Sequence, residues 1–310
     1  MPLTTVIALG GNALQQKGEA SADAQKRVAR LTVTQLVPLL QAGHRLVIVH
    51  GNGPQIGNIV LHEEAINTEE VPTLPLDSGV AMSQGLIGYW LQQALMSELK
   101  RVGMAVPVVT TVTQIVVDAH DPAFNDPTKP IGPFYATEAE AKTHTGAVKE
   151  DAGRGWRRVV PSPTPQHILE VETVKRLMQA GVVVIAAGGG GIPVVETESG
   201  YSGVEAVIDK DFSAAVLADA IQADRLLILT SVDAAMRSYG TSEQAAIGDS
   251  SIAEMEQYIT EGHFKAGSML PKVQASIQFA QKDPNRQAII TSLQGVGDAL
   301  DGKTGTVIHQ

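Results

Sequence analysis

The chain has 310 residues, 44% of them hydrophobic, which is enough for a large buried core and too many for a disordered protein. The formal net charge is -10, no long basic run occurs and aromatics make only 4%, so nucleic acid and anionic membrane surfaces are excluded as general partners. Cysteine is absent, which excludes disulfides, thiolate nucleophiles and cysteine metal sites and fits a reducing cytoplasm.

The start, Met-Pro-Leu-Thr-Thr, has no basic region ahead of an apolar segment, so no signal peptide is expected. No stretch reaches the roughly 18 apolar residues of a membrane span. Leu3 to Leu9 reads as a buried strand ending in Gly10-Gly11-Asn12, where missing side chains let backbone amides approach a ligand. Ala22 to Ala42 reads as a helix stopped by Gly43. Arg45 to Val49 is a second strand, running into His50-Gly51-Asn52-Gly53-Pro54-Gln55, with Pro54 suited to the first turn of a helix. Strand, glycine turn and helix thus occur twice within about 50 residues. This predicts an α/β fold with a mostly parallel sheet and ligands at the carboxyl ends of its strands.

Asp77 to Val102 reads as a long helix, and Ala105 to Val117, rich in β-branched residues, as a strand that continues into an arm. From Asp118 to Pro165 the texture changes to prolines, glycines and mixed charge, the mark of a small excursion or lid; it holds Lys129-Pro130-Ile131-Gly132-Pro133 and Arg157-Arg158-Val159-Val160. No flexible linker divides the rest, so residues 1–310 are expected to form one domain with this insert at about 118–165. Val171 to Ala180 is helical, and Val182 to Ala187 is a third buried strand ending in Gly188 to Gly191. Glu205 to Asp211 runs three apolar residues into a knot of charge, with Phe212 to Ile221 expected as a helix and Asp211 as its N-cap. A lysine between two aspartates at a helix start suits a multiply charged anion, and equally a plain capping salt-bridge cluster. Arg225 to Leu229 is a further strand ending in Thr230-Ser231-Val232-Asp233. Ser250 to Glu261 and Met269 to Gln281 are helices, the second preceded by Gly267-Ser268 and carrying Lys272 in its first turn. Gln287 to Ile290 and Thr306 to Ile308 close the sheet.

Gly297 to Thr304 matches the phosphate-loop pattern G-x-x-x-x-G-K-[ST], but the pattern needs a strand before and a helix after. Here a helix end precedes and a strand-like run follows. Gly51, Gly53 and Gly57 miss the dinucleotide spacing by one residue. Asp118, His120 and Asp121 lack the further ligands of a metal site, so no protein metal ligand is expected. Three glycine turns after three apolar strands, with lysines near two helix starts, point instead to phosphoryl transfer by positioning and charge stabilisation.

Ala8 to Leu14, His50 to Gln55, Lys129 to Pro133, Arg157 to Val160, Gly188 to Val194, Glu205 to Asp211 and Gly267 to Lys272 together make the chain resemble the carbamate kinases of the amino acid kinase superfamily over nearly its whole length. The resemblance implies a three-layer αβα sandwich with a mostly parallel open sheet and a small protruding subdomain. It implies reversible transfer between carbamoyl phosphate and ADP, giving ATP and carbamate, with magnesium accompanying the nucleotide, and a homodimer. By the same resemblance Lys210 and Lys272 contact the moving phosphoryl group, Asp211 holds them, and Lys129 reaches in from the subdomain. Gly10, Gly11, Asn12, Gly51, Asn52 and Gly53 would cradle carbamoyl phosphate. Gly189, Gly190, Thr230, Val232, Asp233, Ser268 and Met269, with Lys210, Asp211 and Lys272, would hold nucleotide. A kinase for another small carboxylate, or a sensor that lost catalysis, are the alternatives. Retention of Lys129, Lys210, Asp211 and Lys272 together argues against the sensor. Arginine, agmatine or purine breakdown could supply the carbamoyl phosphate.

Overall fold

The apolar runs Thr4–Leu9, Arg45–His50, Val183–Ile185 and Arg225–Thr230 are strands covered on both faces, which is why they read as continuous hydrophobic stretches. The computed structural model describes residues 3–14, 19–143, 146–151, 153 and 155–310, with Asn12 described only in its backbone. The large sheet has eight strands in the order Asp249–Ser251, Thr306–His309, Gln287–Ser292, Arg225–Thr230, Thr4–Leu9, Arg45–His50, Val183–Ile185, Val108–Thr110. Gln287–Ser292 and Thr306–His309 pair antiparallel and every other neighbouring pair is parallel.

Strand side chains alternate between two cores, as a period of two requires. Val6, Ala8, Val47, Val49, Leu226 and Ile228 face one core, with the helices Val171–Gln179, Lys210–Ala220 and Met269–Ala280. Ile7, Leu9, Leu46, Ile48, Leu227 and Leu229 face the other, with Ala22–Gln41 and Leu76–Arg101. The result is helix, sheet, helix in three layers. Among the described residues, no helix is long and apolar enough to cross a membrane.

The run Ala105 to Val117 is not one strand. Val108–Thr110 ends the large sheet, while Gln114–Val117 belongs to a second sheet of Gly200–Gly203, Ile192–Thr197, Gln114–Val117 and Pro165–Ile168. The handover is fixed by tertiary hydrogen bonds that β propensity cannot foresee. Thr111 N donates to Ile185 O at 2.9 Å. Gln84, from the long helix, accepts from Thr113 N and donates to Thr113 O, each at 3.0 Å.

Within the proline- and glycine-rich excursion, Lys129–Tyr135, Trp156–Val160 and Val148–Glu150 form a separate antiparallel sheet. Its first strand lies directly on the helix Gly53–Ala65: a Cβ at Gly57 would land on the Cα and N of Gly132. Buried Arg157 secures the same spot, donating from Nε and Nη2 to Gly132 O at 3.0 and 2.7 Å and from Nη1 to Asp151 at 3.0 Å.

This contact predicts the sign of one substitution. Gly57→Ala gains up to about 1 kcal/mol of helix propensity. The added methyl has only backbone to displace, and such overpacking costs about 1–3 kcal/mol. The variant should therefore be destabilised in denaturant unfolding; a gain in stability would show that the strand carrying Lys129 is not seated on this helix.

Candidate active site

Parallel register gathers the glycine turns. Leu9 pairs with His50 on one side and Leu229 on the other, so Gly10, Gly51 and Thr230 leave the sheet side by side at its carboxyl edge. Gly10 N donates to Leu229 O and Gly51 N to Leu9 O, both at 3.1 Å. Ile48 pairs with Ile185, which brings the Gly188 to Gly191 run to the same edge. That run needs glycine twice over. Gly189 and Gly190 have φ of 68° and 93°. Cβ atoms at Gly188, Gly189 and Gly190 would strike the His50 ring, the Asn52 side chain and Ile208 O respectively.

The charged knot opens a helix two residues earlier than predicted. The helix is Lys210–Ala220 and its N-cap is Asp209, not Asp211: Asp209 Oδ1 accepts from Asp211 N at 2.9 Å. Asp211 thereby falls in the first turn, where its side chain points away from the backbone and toward cations. Its Oδ1 accepts from Lys210 Nζ at 2.5 Å and its Oδ2 from Lys272 Nζ at 2.8 Å. Lys272 comes from the first turn of Met269–Ala280, a helix packed beside Lys210–Ala220. Lys129 comes from the small antiparallel sheet, and its Nζ donates to Asp209 Oδ2 at 2.5 Å. Gly51 lies against the Lys210 stem, its Cβ position 3.3 Å from Cδ. The corresponding position at Gly53 faces Pro130 O at 3.8 Å, next to Lys129.

Five charges thus meet in a largely dry place: the side chains of Asp211, Lys210 and Lys272 are 3%, 10% and 15% exposed. Three ammonium groups face two carboxylates, an excess of one positive charge, at the positive end of a helix. Burial pushes the Asp211 carboxyl up, but Lys210 and Lys272 outweigh it and hold the group far below the carboxylate range. Burial also opposes ionisation of Asp209, and Lys129 tips the balance downward. Burial pulls Lys272 down, but Asp211 and then Asp209 leave it above the ordinary lysine value. Lys210 goes the other way: burial, only partly offset by Asp211, brings it down to about 8.

The remaining predicted residues divide by place. Gly11 and Asn12 form the single turn after Gly10, and the Asn12 side chain lies outside the described residues. Buried Asn52 donates from Nδ2 to Ser83 Oγ at 2.8 Å. Thr230 ends its strand beside Gly10; Val232 and Asp233 follow in the turn, and no hydrogen bond of the described residues ties them to the charge cluster. Ser268 and Met269 begin the helix that carries Lys272. The phosphate-loop look-alike is elsewhere. Its Lys303 is 64% exposed, pairs with Asp301 at 2.7 Å, and no helix follows it. Among the described residues, no group of three or more His, Asp or Glu side chains is placed to hold a metal.

Two residues went unassigned from the sequence. Asp209 carried a signal, being half of the aspartate pair around Lys210. His50 carried little beyond its place in the turn. It is fully buried, its Nδ1 lies 2.9 Å from Gly51 O, and desolvation lowers it to about 4, so it is neutral.

The sequence model of the Amino acid kinase family matches residues 3–292. Carbamate kinase 1 of Enterococcus faecium is 52% identical over 307 residues, covering 98% of both chains. Carbamate kinase of Pyrococcus horikoshii is 50% identical, covering 99% of both. The solved carbamate kinase from Giardia lamblia bound to AMP-PNP superposes with a TM-score of 0.90 at 42% identity, covering 99% of this chain and 98% of that one. With the family match spanning nearly the whole sheet and full-length identities near one half, the chain belongs to the amino acid kinase family, among its carbamate kinases.

Proposed function

We infer that the protein catalyses reversible phosphoryl transfer between carbamoyl phosphate and ADP, giving ATP and carbamate. The observation that carries the reading is the buried convergence of Lys129, Lys210 and Lys272 at the strand ends, in a chain 52% identical to a carbamate kinase. Gly10 and Gly51, whose amides bond strand carbonyls, shape the turns, and the amides of Gly11 and Gly53, with Asn12 and Asn52, hold carbamoyl phosphate. Gly189, Gly190, Thr230, Val232 and Asp233, with Ser268 and Met269 at a helix start, face the nucleotide. A β-phosphate oxygen of ADP attacks phosphorus in line with the carbamoyl oxygen. The new P–O bond forms as the old one breaks, and carbamate leaves with the electron pair. Lys210 and Lys272 neutralise the oxygens of the moving group, Asp211 keeps both ammoniums aimed at one point, and Lys129 closes from the small sheet.

Magnesium enters with ADP or ATP, held by the nucleotide's own phosphates; Asp209 and Asp211 already serve lysines. Residues 1–310 act as one domain, with about 118–165 as a protruding subdomain. We place the enzyme in the cytoplasm, generating ATP from a catabolic source of carbamoyl phosphate. It works as a homodimer through the long helix, where Met82, Leu86, Tyr89 and Met96 form an exposed apolar stripe beside the edge strand Val108–Thr110.

ATP formation from ADP and carbamoyl phosphate by purified protein tests the assignment; a preference for another acyl phosphate would move it to a different small acid. In that assay Asp211→Asn should lower turnover on the order of 10²–10³-fold, the scale of a lost preorganised charge. The fold should survive by circular dichroism, because Lys210, already brought down to about 8, can shed its proton once unpaired. Near-wild-type turnover in the folded variant contradicts the role given to Asp211.

A pH dependence follows from Lys210. Only its protonated form stabilises phosphoryl charge, and its depressed value means protons leave as pH rises through about 8. The ratio kcat/KM reports free-enzyme groups, so it should fall above about pH 8, while kcat holds to higher pH because bound phosphate favours the ammonium. Parallel profiles, or none, argue that Lys210 does not act as a cation. For assembly, Tyr89→Glu should convert dimer to monomer in sedimentation velocity; an unchanged sedimentation coefficient would remove this stripe from the interface.

A further inference from the structure

Asp209 has no part in the mechanism above, yet it joins two elements that the chain sets far apart. Its Oδ1 accepts from Asp211 N at 2.9 Å and fixes the helix start, while its Oδ2 accepts from Lys129 Nζ at 2.5 Å. Lys129 and Asp209 are 80 residues apart, one opening a strand of the small antiparallel sheet and the other capping the helix Lys210–Ala220. Their side chains are 24% and 19% exposed, so the pair is sheltered from much of the screening that weakens surface ion pairs. The backbone beneath is equally fixed. Asp209 O accepts from Ser213 N at 3.1 Å, and Ser213 Oγ donates to Gly190 O at 2.7 Å, tying the cap to the glycine run.

We propose that Asp209 is a positioning residue that docks Lys129, and with it the small antiparallel sheet, onto the start of the Lys210–Ala220 helix. The proposal rests on the phosphoryl-transfer reading. Without Asp209, Lys129 approaches Lys210 and Lys272 with only Asp211 between three like charges, and repulsion moves its ammonium away from the site. With it, one carboxylate organises the helix start and the third cation together. Asp211 then serves two lysines and Asp209 serves one, so each ammonium has a fixed origin from which to meet the phosphoryl oxygens. The charge of Asp209 is kept by the same contact: burial disfavours it and Lys129 restores it.

The test separates capping from docking. Asparagine is as good an N-cap as aspartate but offers Lys129 no charge. Turnover of carbamoyl phosphate with ADP is measured for wild type, Asp209→Asn, Lys129→Ala and the double variant, with thermal midpoints alongside. Asp209→Asn is expected to lower kcat by about tenfold or more, to leave the KM for ADP within about twofold, and to shift the midpoint little. In the Lys129→Ala background the same change should cost almost nothing, because the group it positions is gone. Wild-type kcat in Asp209→Asn, or an equal loss in both backgrounds, overturns the proposal. If Asp209→Asn does not fold, Asp209→Ser, which keeps the cap and cannot reach Lys129, takes its place. Collapse of both variants assigns Asp209 to fold alone and equally overturns it. Failure of the phosphoryl-transfer reading would look different: the wild-type protein itself would make no ATP from carbamoyl phosphate.

Discussion

A buried carboxylate between two lysines governs this structure. Asp211 is almost wholly enclosed and accepts from Lys210 and Lys272, which come from different helices. Taking such charges out of water costs several kcal/mol each, and attraction repays it only where geometry is tight and hydrogen bonds are complete. The helices Lys210–Ala220 and Met269–Ala280 must therefore hold their first turns in fixed relation. They do so by packing on one face of the sheet, through Ala214, Ala215, Leu217, Ala218, Val273 and Ile277. Small residues on the first helix let the two approach. The core thus sets the distance between the lysines, and the lysines set what the site can bind.

The strands supply the rest of the constraint. In-register parallel pairing is the reason that Gly10, Gly51 and Thr230 share an edge, and the absence of side chains at Gly188 to Gly190 is the reason that His50, Asn52 and the Ile208 carbonyl fit behind them. Amides at such turns bring partial positive charge without any counter-ion. With lysines outnumbering aspartates three to two, the edge is prepared for a multiply charged anion before one arrives. Under the proposed reading this is preorganisation in the electrostatic sense, with little reorientation needed when charge moves on the phosphoryl oxygens.

Most of this was legible along the chain because it is local. A strand that ends in glycines, a proline at a helix start and a lysine between aspartates are short-range patterns. The structure places Thr4–Leu9, Arg45–His50, Val183–Ile185 and Arg225–Thr230 within two residues of where those patterns put them. What failed was not local. Asp209 and Asp211 are both competent caps two residues apart, so residue preference alone could not choose; in the structure Asp209 caps and Asp211, inside the first turn, pairs with Lys272 from a distant helix. Ala105 to Val117 looks uniform, yet a buried glutamine on another helix divides it between two sheets. The Lys129 contact spans 80 residues, and no spacing rule reaches so far. Lys303 shows the converse, a perfect local pattern whose lysine is exposed, pairs with Asp301 and is followed by no helix.

Proton uptake on ligand binding tests most directly the central claim, that burial opposes the charge on Lys210 and a bound anion restores it. At pH 8 a phosphoryl group, with a second ionisation near 6, is already fully charged and brings no proton of its own. Lys210, depressed by burial to about 8, is then partly deprotonated. Calorimetric titration of carbamoyl phosphate into the protein at pH 8, in buffers of different ionisation enthalpy, reads the exchange. The account predicts net proton uptake by the site, since the bound phosphoryl charge draws Lys210 back to the ammonium form. Binding with no proton uptake at that pH would contradict it.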